Sequence, residues 1–251
     1  MLDFLKPTPL KLALLLPGIA FLLLELILEP DAVRGNLPGL FIWAVFYYLL
    51  ASLAVSLRQR GVRPPSFRRL LGYAVLLAAL DHAVKLIVLR WLPLEQAYTV
   101  IPAALALTHT HNLRNSWVAV QFDLDFIGDW LLIGAALLFS VLTLAIYRYY
   151  AGQRSQPPFF AALAMAGFVA GLSSAVVELV LRGFTVDYLA VAGLVVADLK
   201  DFYLDIAIAA LAAEIAENHA AAWRMSTRET LHHVKAALVQ SAQEIKERLR
   251  H

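Results

Sequence analysis

The chain has 251 residues, of which 61% are hydrophobic and only 16% charged, with a mean hydropathy of +0.69. Soluble domains hold about half apolar and a quarter charged residues. These figures therefore exclude an ordinary soluble globule and describe a polytopic membrane protein with room for about six helices of roughly 20 residues. The formal net charge is only +2, and the absence of cysteine excludes a disulfide framework, a thiolate nucleophile and Cys-ligated metal.

Met1–Pro9 is a short amphiphilic leader carrying Lys6, and Leu10–Leu28 is the first spanning helix, interrupted by Pro17-Gly18. This first run is long enough to span and lacks a small-x-small exit site, so it reads as a span and not a cleavable signal peptide. Glu29–Pro38 links it to a second span, Gly39–Leu57, with the aromatic cluster Phe41, Trp43, Phe46, Tyr47 and Tyr48. Five arginines follow between Arg58 and Arg69, and such a cluster beside a span marks the cytoplasmic side. Leu70–Leu92 then runs outward. Pro93–Asp129 is external, and its short β-prone stretches Tyr98–Ile101, Ala106–Thr110 and Trp117–Phe122 predict a small outer sheet. Trp130–Tyr147 returns to a basic inner loop, Phe159–Leu181 goes out, Arg182–Ala197 forms an external turn, and Asp198–Ala216 comes back. The pattern predicts six spans with both termini cytoplasmic. From Trp223 to His251 the apolar residues recur at three- and four-residue steps beside six basic residues. That stretch reads as an amphipathic cytoplasmic helix for the inner leaflet, self-association or a protein partner.

The chemistry concentrates in carboxylates placed within apolar helices. Such groups cost roughly 2.5–3.5 kcal/mol each on insertion and normally face a protein interior or a hydrated cavity. Glu178 stands about one turn from the end of one helix; Asp198 opens the next, with Asp201 and Asp205 at i+3 and i+7 on the same face. Asp81 and Lys85 are i,i+4 in the third span, a spacing suited to an intramembrane ion pair or to a substrate contact. Asp187 reads as a cap or pin for the outer turn. His109 and His111 point to one side of a β-like segment without a third metal ligand in view, so no metal or other cofactor is expected. There is no phosphate-cradling Gly-rich loop, no Ser/His/Asp constellation and no nucleic-acid footprint.

Leu80–Leu89 (LDHAVKLIVL) and the outer segment Arg90–Trp117 resemble the first half of bacterial lipoprotein signal peptidase (signal peptidase II). Asp81, Lys85, Pro93, Ile101-Pro102, Leu107 and Asn112 match its motifs. Arg182–Tyr188 resembles the turn of the second half, and Ala197-Asp198 its last helix motif. The resemblance covers about Leu70 to Ala216. It implies an all-α membrane fold with a four-helix core and a small external β cradle, here with two added N-terminal helices and the C-terminal amphipathic helix. The implied units are residues 1–69, 70–218 and 219–251.

The resemblance further implies an intramembrane aspartic endopeptidase acting on lipoprotein-type or apolar helical substrates near the outer leaflet of a bacterial inner membrane. Its two carboxyls fall on Glu178 and Asp198, and Asn112, Arg114, Asp81, Lys85 and Asp187 are the implied substrate-binding residues. Glutamate stands where the family has aspartate, Leu179 where it has arginine, and Ala175 and Val195 where it has asparagine. These departures admit a second reading, a catalytically inactive descendant that binds a lipoprotein, lipid or membrane-protein partner in the old groove. A third class is an ion-coupled transporter using the Asp198/Asp201/Asp205 face.

Overall fold

The computed structural model describes residues 2–114, 128–155 and 157–222, with positions 235, 236, 239 and 243 beyond. The helices are α1 (Leu2–Leu5), α2 (Pro9–Leu28), α3 (Pro30–Gly35), α4 (Leu37–Gln59), α5 (Phe67–Trp91), α6 (Asp129–Gly152), α7 (Phe159–Arg182) and α8 (Leu199–Ala222). Strands β1 (Ala97–Ile101) and β2 (Leu105–Asn112) lie between α5 and α6; β3 (Thr185–Val191) and β4 (Val195–Ala197) lie between α7 and α8. Local chemistry sets the boundaries. Thr8 caps α2 through the Lys11 N–H at 3.3 Å, with Pro9 in the first turn. Gly183 ends α7 in the left-handed region at φ 71°, where glycine has no Cβ penalty.

Among the described residues, five helices, α2, α4, α5, α6 and α7, are long and apolar enough to cross a membrane. Their outward side chains are apolar, as Phe41, Val75 and Leu181 illustrate, and Trp91 and Trp130 stand exposed near helix ends as interfacial aromatics do. The expected sixth span, α8, is as long but carries Lys200, Asp201, Asp205, Glu214 and Glu217, so on composition it does not join them.

Helix α7 packs against α5, α6 and α8, and α2 packs on α8. The α7–α8 contact is close because small residues face it. A Cβ on Gly167 would meet the Tyr203 carbonyl oxygen at 2.6 Å, and one on Gly171 would meet Leu204 Cγ at 2.7 Å. This is the small-x-x-x-small approach of membrane helices, completed on α8 by fully buried Ala207, Ala210 and Ala213.

The four strands form one antiparallel sheet in the order β1-β2-β3-β4. The first two match the predicted outer segment. The other two correct the expectation of a plain turn over Arg182–Ala197: Thr185, Val186, Tyr188 and Val191 suit a pleated surface, and β3 finds its partner in the distant β2, with Asn112 opposite Thr185. The predicted strand Trp117–Phe122 lies outside the described residues, as does most of the predicted C-terminal helix. The link Glu29–Pro38 contains a short helix, α3, opened by Pro30.

The two N-terminal helices dock on the rest of the chain. Gly39 abuts the carbonyl of Ala103 in the β1–β2 turn with no room for a Cβ. Trp43 Nε1 donates to Ala104 O at 2.7 Å, and its ring stacks on Phe202 of α8 at 5.5 Å. Arg58 pairs with Glu217 at 3.0 Å at the other end.

Candidate active site

The site lies where the C-terminal turn of α7, the N-terminus of α8, the middle of α5 and strand β3 converge. Glu178 and Asp198 are both wholly buried. Glu178 Oε1 accepts the Val186 N–H of β3 at 2.7 Å and faces Arg182 Nη1 at 3.5 Å. The β3 backbone therefore fixes one oxygen and leaves Oε2 pointing inward. Asp198 is fixed in a parallel way. It caps α8, its Oδ1 accepting the Asp201 N–H at 3.0 Å while Asp201 Oδ2 accepts the Asp198 N–H at 3.2 Å. This is a capping box in which aspartate replaces the usual glutamate.

The free oxygens meet at one ammonium. Lys85 Nζ lies 2.5 Å from Glu178 Oε2, 2.5 Å from Asp198 Oδ2 and 2.9 Å from Asp81 Oδ2. Asp81 also accepts from Ser174 Oγ at 2.6 Å and from the Tyr188 hydroxyl at 3.3 Å. Tyr188 in turn accepts the Leu199 N–H at 3.1 Å, tying the start of α8 to α5. Burial and the neighbouring Asp81 push the Tyr188 phenol up, so it remains a donor. A second ammonium, Lys200, hydrogen-bonds Asp198 Oδ2 and lies 3.6 Å from Glu178 Oε2 and 4.0 Å from Asp187 Oδ1.

Carboxylate oxygens of Asp81, Glu178 and Asp198, and of Asp187, Asp198 and Asp201, approach within 4.8 Å of one another, close enough for a metal. In the first group Lys85 Nζ already sits in ion-pair contact with all three carboxylates, supplying the positive charge from the chain itself. His109 and His111 do come together, Nε2 to Nε2 at 3.1 Å, with His109 Nδ1 on the Leu92 carbonyl at 2.9 Å. Burial and His109 push the His111 imidazole down.

The expected site residues divide. Asp81, Lys85, Glu178 and Asp198 form one cluster. Asp187 borders it, and Asn112 Nδ2 donates to Asp187 Oδ2 at 3.1 Å across the β2–β3 pair. Burial pushes Asp187 up to about 6. Arg114 lies at the exposed end of this segment, where its N–H donates to Asn112 Oδ1 at 3.1 Å. The Asp198/Asp201/Asp205 face does not act as one surface: Asp201 turns back to cap α8, whereas Asp205 Oδ2 accepts from Tyr47 of α4 at 3.4 Å. Sequence reasoning missed Lys200 as a site residue. Its signal was a lysine two positions after Asp198, near the positive end of a helix where a cation is normally unfavourable.

Residues 73–217 match the family described as Signal peptidase (SPase) II. A curated relative named "Lipoprotein signal peptidase", from Sinorhizobium fredii (strain NBRC 101917 / NGR234), is 32% identical over 110 residues, 43% of this chain and 60% of that protein. Two solved structures titled as bacterial membrane enzymes determined by the in meso method are also similar. One has a TM-score of 0.49 at 17% identity, covering 59% of this chain and 93% of its own. The other has a TM-score of 0.45 at 16% identity, covering 66% and 98%.

Proposed function

The chain belongs to the signal peptidase II family of aspartic peptidases, and from that premise we propose that it is an intramembrane endopeptidase using Glu178 and Asp198 as its carboxyl pair. The observation that carries this reading is the meeting of Glu178 Oε2 and Asp198 Oδ2 at a shared distance of 2.5 Å from Lys85 Nζ. Two carboxylates from separate helices thus converge on one point in a fully buried site.

In the reacting state the pair holds one proton. The water oxygen bonds to the scissile carbonyl carbon as its proton passes to the ionised carboxylate, and the neutral carboxyl gives its proton to the carbonyl oxygen. The C–N bond of the resulting diol then breaks. The leaving nitrogen takes the proton that came from water, and the other carboxylate recovers a proton from the diol. Val186 N–H and Asp201 N–H hold the outer oxygens so that both inner oxygens stay aimed at the substrate. Glutamate is one methylene longer than aspartate, and the hydrogen bond from β3 restrains that extra reach.

The substrate class in this reading is a lipoprotein-type or apolar helical segment at the outer leaflet. Asn112, Asp187 and the exposed Arg114 border its path, and Asp81 with Lys85 forms the floor. Helix α8 completes six crossings, with the arginines of 58–69 and both termini on the cytoplasmic side of a bacterial inner membrane. Residues 70–218 form the peptidase core, 1–69 an added two-helix unit and 219–251 a cytoplasmic helix for lipid or a protein partner. A second reading has its own observation: Lys85 and Lys200 both neutralise the pair, as befits a descendant that binds a lipoprotein, lipid or membrane protein without cutting it.

Incubation with a lipid-modified prolipoprotein, read by gel shift, separates the two. The peptidase reading expects cleavage that Asp198→Asn abolishes. Binding that survives Asp198→Asn, with no product from any form beside an active control enzyme, establishes the second reading.

A further inference from the structure

We propose that Lys200 sets the charge state of the carboxyl pair: its ammonium keeps Glu178 and Asp198 ionised together in the resting site, and it must leave Asp198 before the pair can take up the single proton that hydrolysis needs. The proposal rests on the reading of Glu178 and Asp198 as the working pair.

The charged and titratable groups facing the pair come from every surrounding element. Helix α5 brings Asp81, His82 and Lys85, α7 brings Glu178 and Arg182, β3 brings Asp187 and Tyr188, and α8 brings Asp198, Lys200, Asp201 and Tyr203. Lys85 is matched by Asp81, four residues earlier on its own helix. Glu178 and Asp198 are met by Arg182 and Lys200, while Asp187, 4.0 Å from Lys200, and Asp201, on the Asp198 cap, are two further acids beside them. Without Lys200 the cluster carries one more negative charge in a buried site, which binding a proton relieves. Asp187 lies outside the central cluster, at 4.0 Å from Lys200. Burial raises its carboxyl to about 6.

Geometry adds a second reason. Lys200 is nearly fully buried, and its side chain turns back onto the cap of its own helix instead of running outward. Its ammonium contacts Asp198 Oδ2 and approaches Glu178 Oε2, the two oxygens that the proposed reaction needs for a water and a scissile carbonyl. A lysine is a point charge on a flexible four-carbon stem, so it can withdraw when a substrate carbonyl competes for that space. As a positioning residue, Lys200 governs the pH at which the pair becomes competent.

The test uses full-length protein in nanodiscs, comparing wild type, Lys200→Met and the charge-keeping Lys200→Arg. Lys200→Gln replaces the methionine form where that fails to fold. Two quantities are read: infrared titration of buried carboxyls, with the pair's band assigned against Asp198→Asn, and the pH profile of prolipoprotein cleavage. Lys200→Met is expected to hold a proton on the pair at neutral pH, in the band that Asp198→Asn removes, where wild type shows none. Its alkaline limb in kcat should move up by about one pH unit or more with KM little changed, while Lys200→Arg follows wild type. Titration of Lys200→Met identical to wild type, or of Lys200→Arg identical to Lys200→Met, overturns the proposal. If no form cleaves, the carboxyl titration alone decides the role of Lys200, and it is the peptidase reading that fails.

Discussion

Glu178 and Asp198 share the ammonium of Lys85, which lies 2.5 Å from a carboxylate oxygen of each. The two acids come from separate helices, and Lys85, brought by α5, ties α7 and α8 together at this point beside the second ammonium of Lys200.

Replacing that lysine therefore tests the architecture. Lys85→Met leaves Asp81, Glu178 and Asp198 buried with their shared cation gone, and breaking a buried pair from one side costs about 3–5 kcal/mol. Thermal unfolding in detergent should show a large drop in Tm for Lys85→Met. An unchanged Tm would mean that the ammonium does not hold the helices together.

Asp187 gives a pH signature. Its folded pKa is raised to about 6 from 3.8 because the carboxyl is buried. A raised acid binds its proton more tightly when folded. Its stabilising contribution is complete below the unfolded value and is lost as pH rises through about 6. At 1.36 kcal/mol per unit the upper limit is about 3 kcal/mol. Unfolding of the wild type between pH 4 and 7 should show this falling slope, and Asp187→Asn should flatten it. Equal slopes in both proteins would exclude Asp187 as the titrating group.

The small-residue seam between α7 and α8 makes a steric prediction. At Gly167 a Cβ would meet the Tyr203 carbonyl at 2.6 Å and Ala207 Cβ at 2.9 Å, so Gly167→Val must push the helices apart. Overpacking of this kind costs about 1–3 kcal/mol, and displacement of about 1 Å at the site can cost ~100-fold in rate. Thermal unfolding together with cleavage kinetics should register both losses. A Gly167→Val protein with wild-type stability would contradict the close approach.

Much of this arrangement was legible because intramembrane charge is rare. Asp81 and Lys85 announced themselves by spacing, and their ion pair follows directly from one helical turn. Glu178 and Asp198 stood out as carboxylates near helix ends, although only the resemblance to a family suggested that they meet. Strand β3 was hidden because its partner β2 lies more than 70 residues earlier, and β4 pairs only with β3, so the stretch between the two helices reads as a turn until β2 is known. The link between Asp205 and Tyr47 was hidden for the same reason: periodicity assigns a face, not the helix that covers it. Lys200 was the more instructive omission. In sequence it reads as a partner for Asp201 or Asp205, and only the tertiary fold turns it onto Asp198 and Glu178. Gly167 and Gly171 carried a usable signal, four residues apart in an apolar helix, for the tight α7–α8 seam.

A paired-carboxyl mechanism stands or falls on Glu178, one of the positions at which the resemblance to the family is broken. The decisive measurement is the single-turnover rate of prolipoprotein cleavage by wild type, Glu178→Gln and Glu178→Asp in nanodiscs. Glu178→Gln keeps the shape and removes the acid, and it should lose about 10²–10⁴-fold in rate, whereas Glu178→Asp should retain cleavage. Cleavage by Glu178→Gln at the wild-type rate would contradict a working Glu178/Asp198 pair.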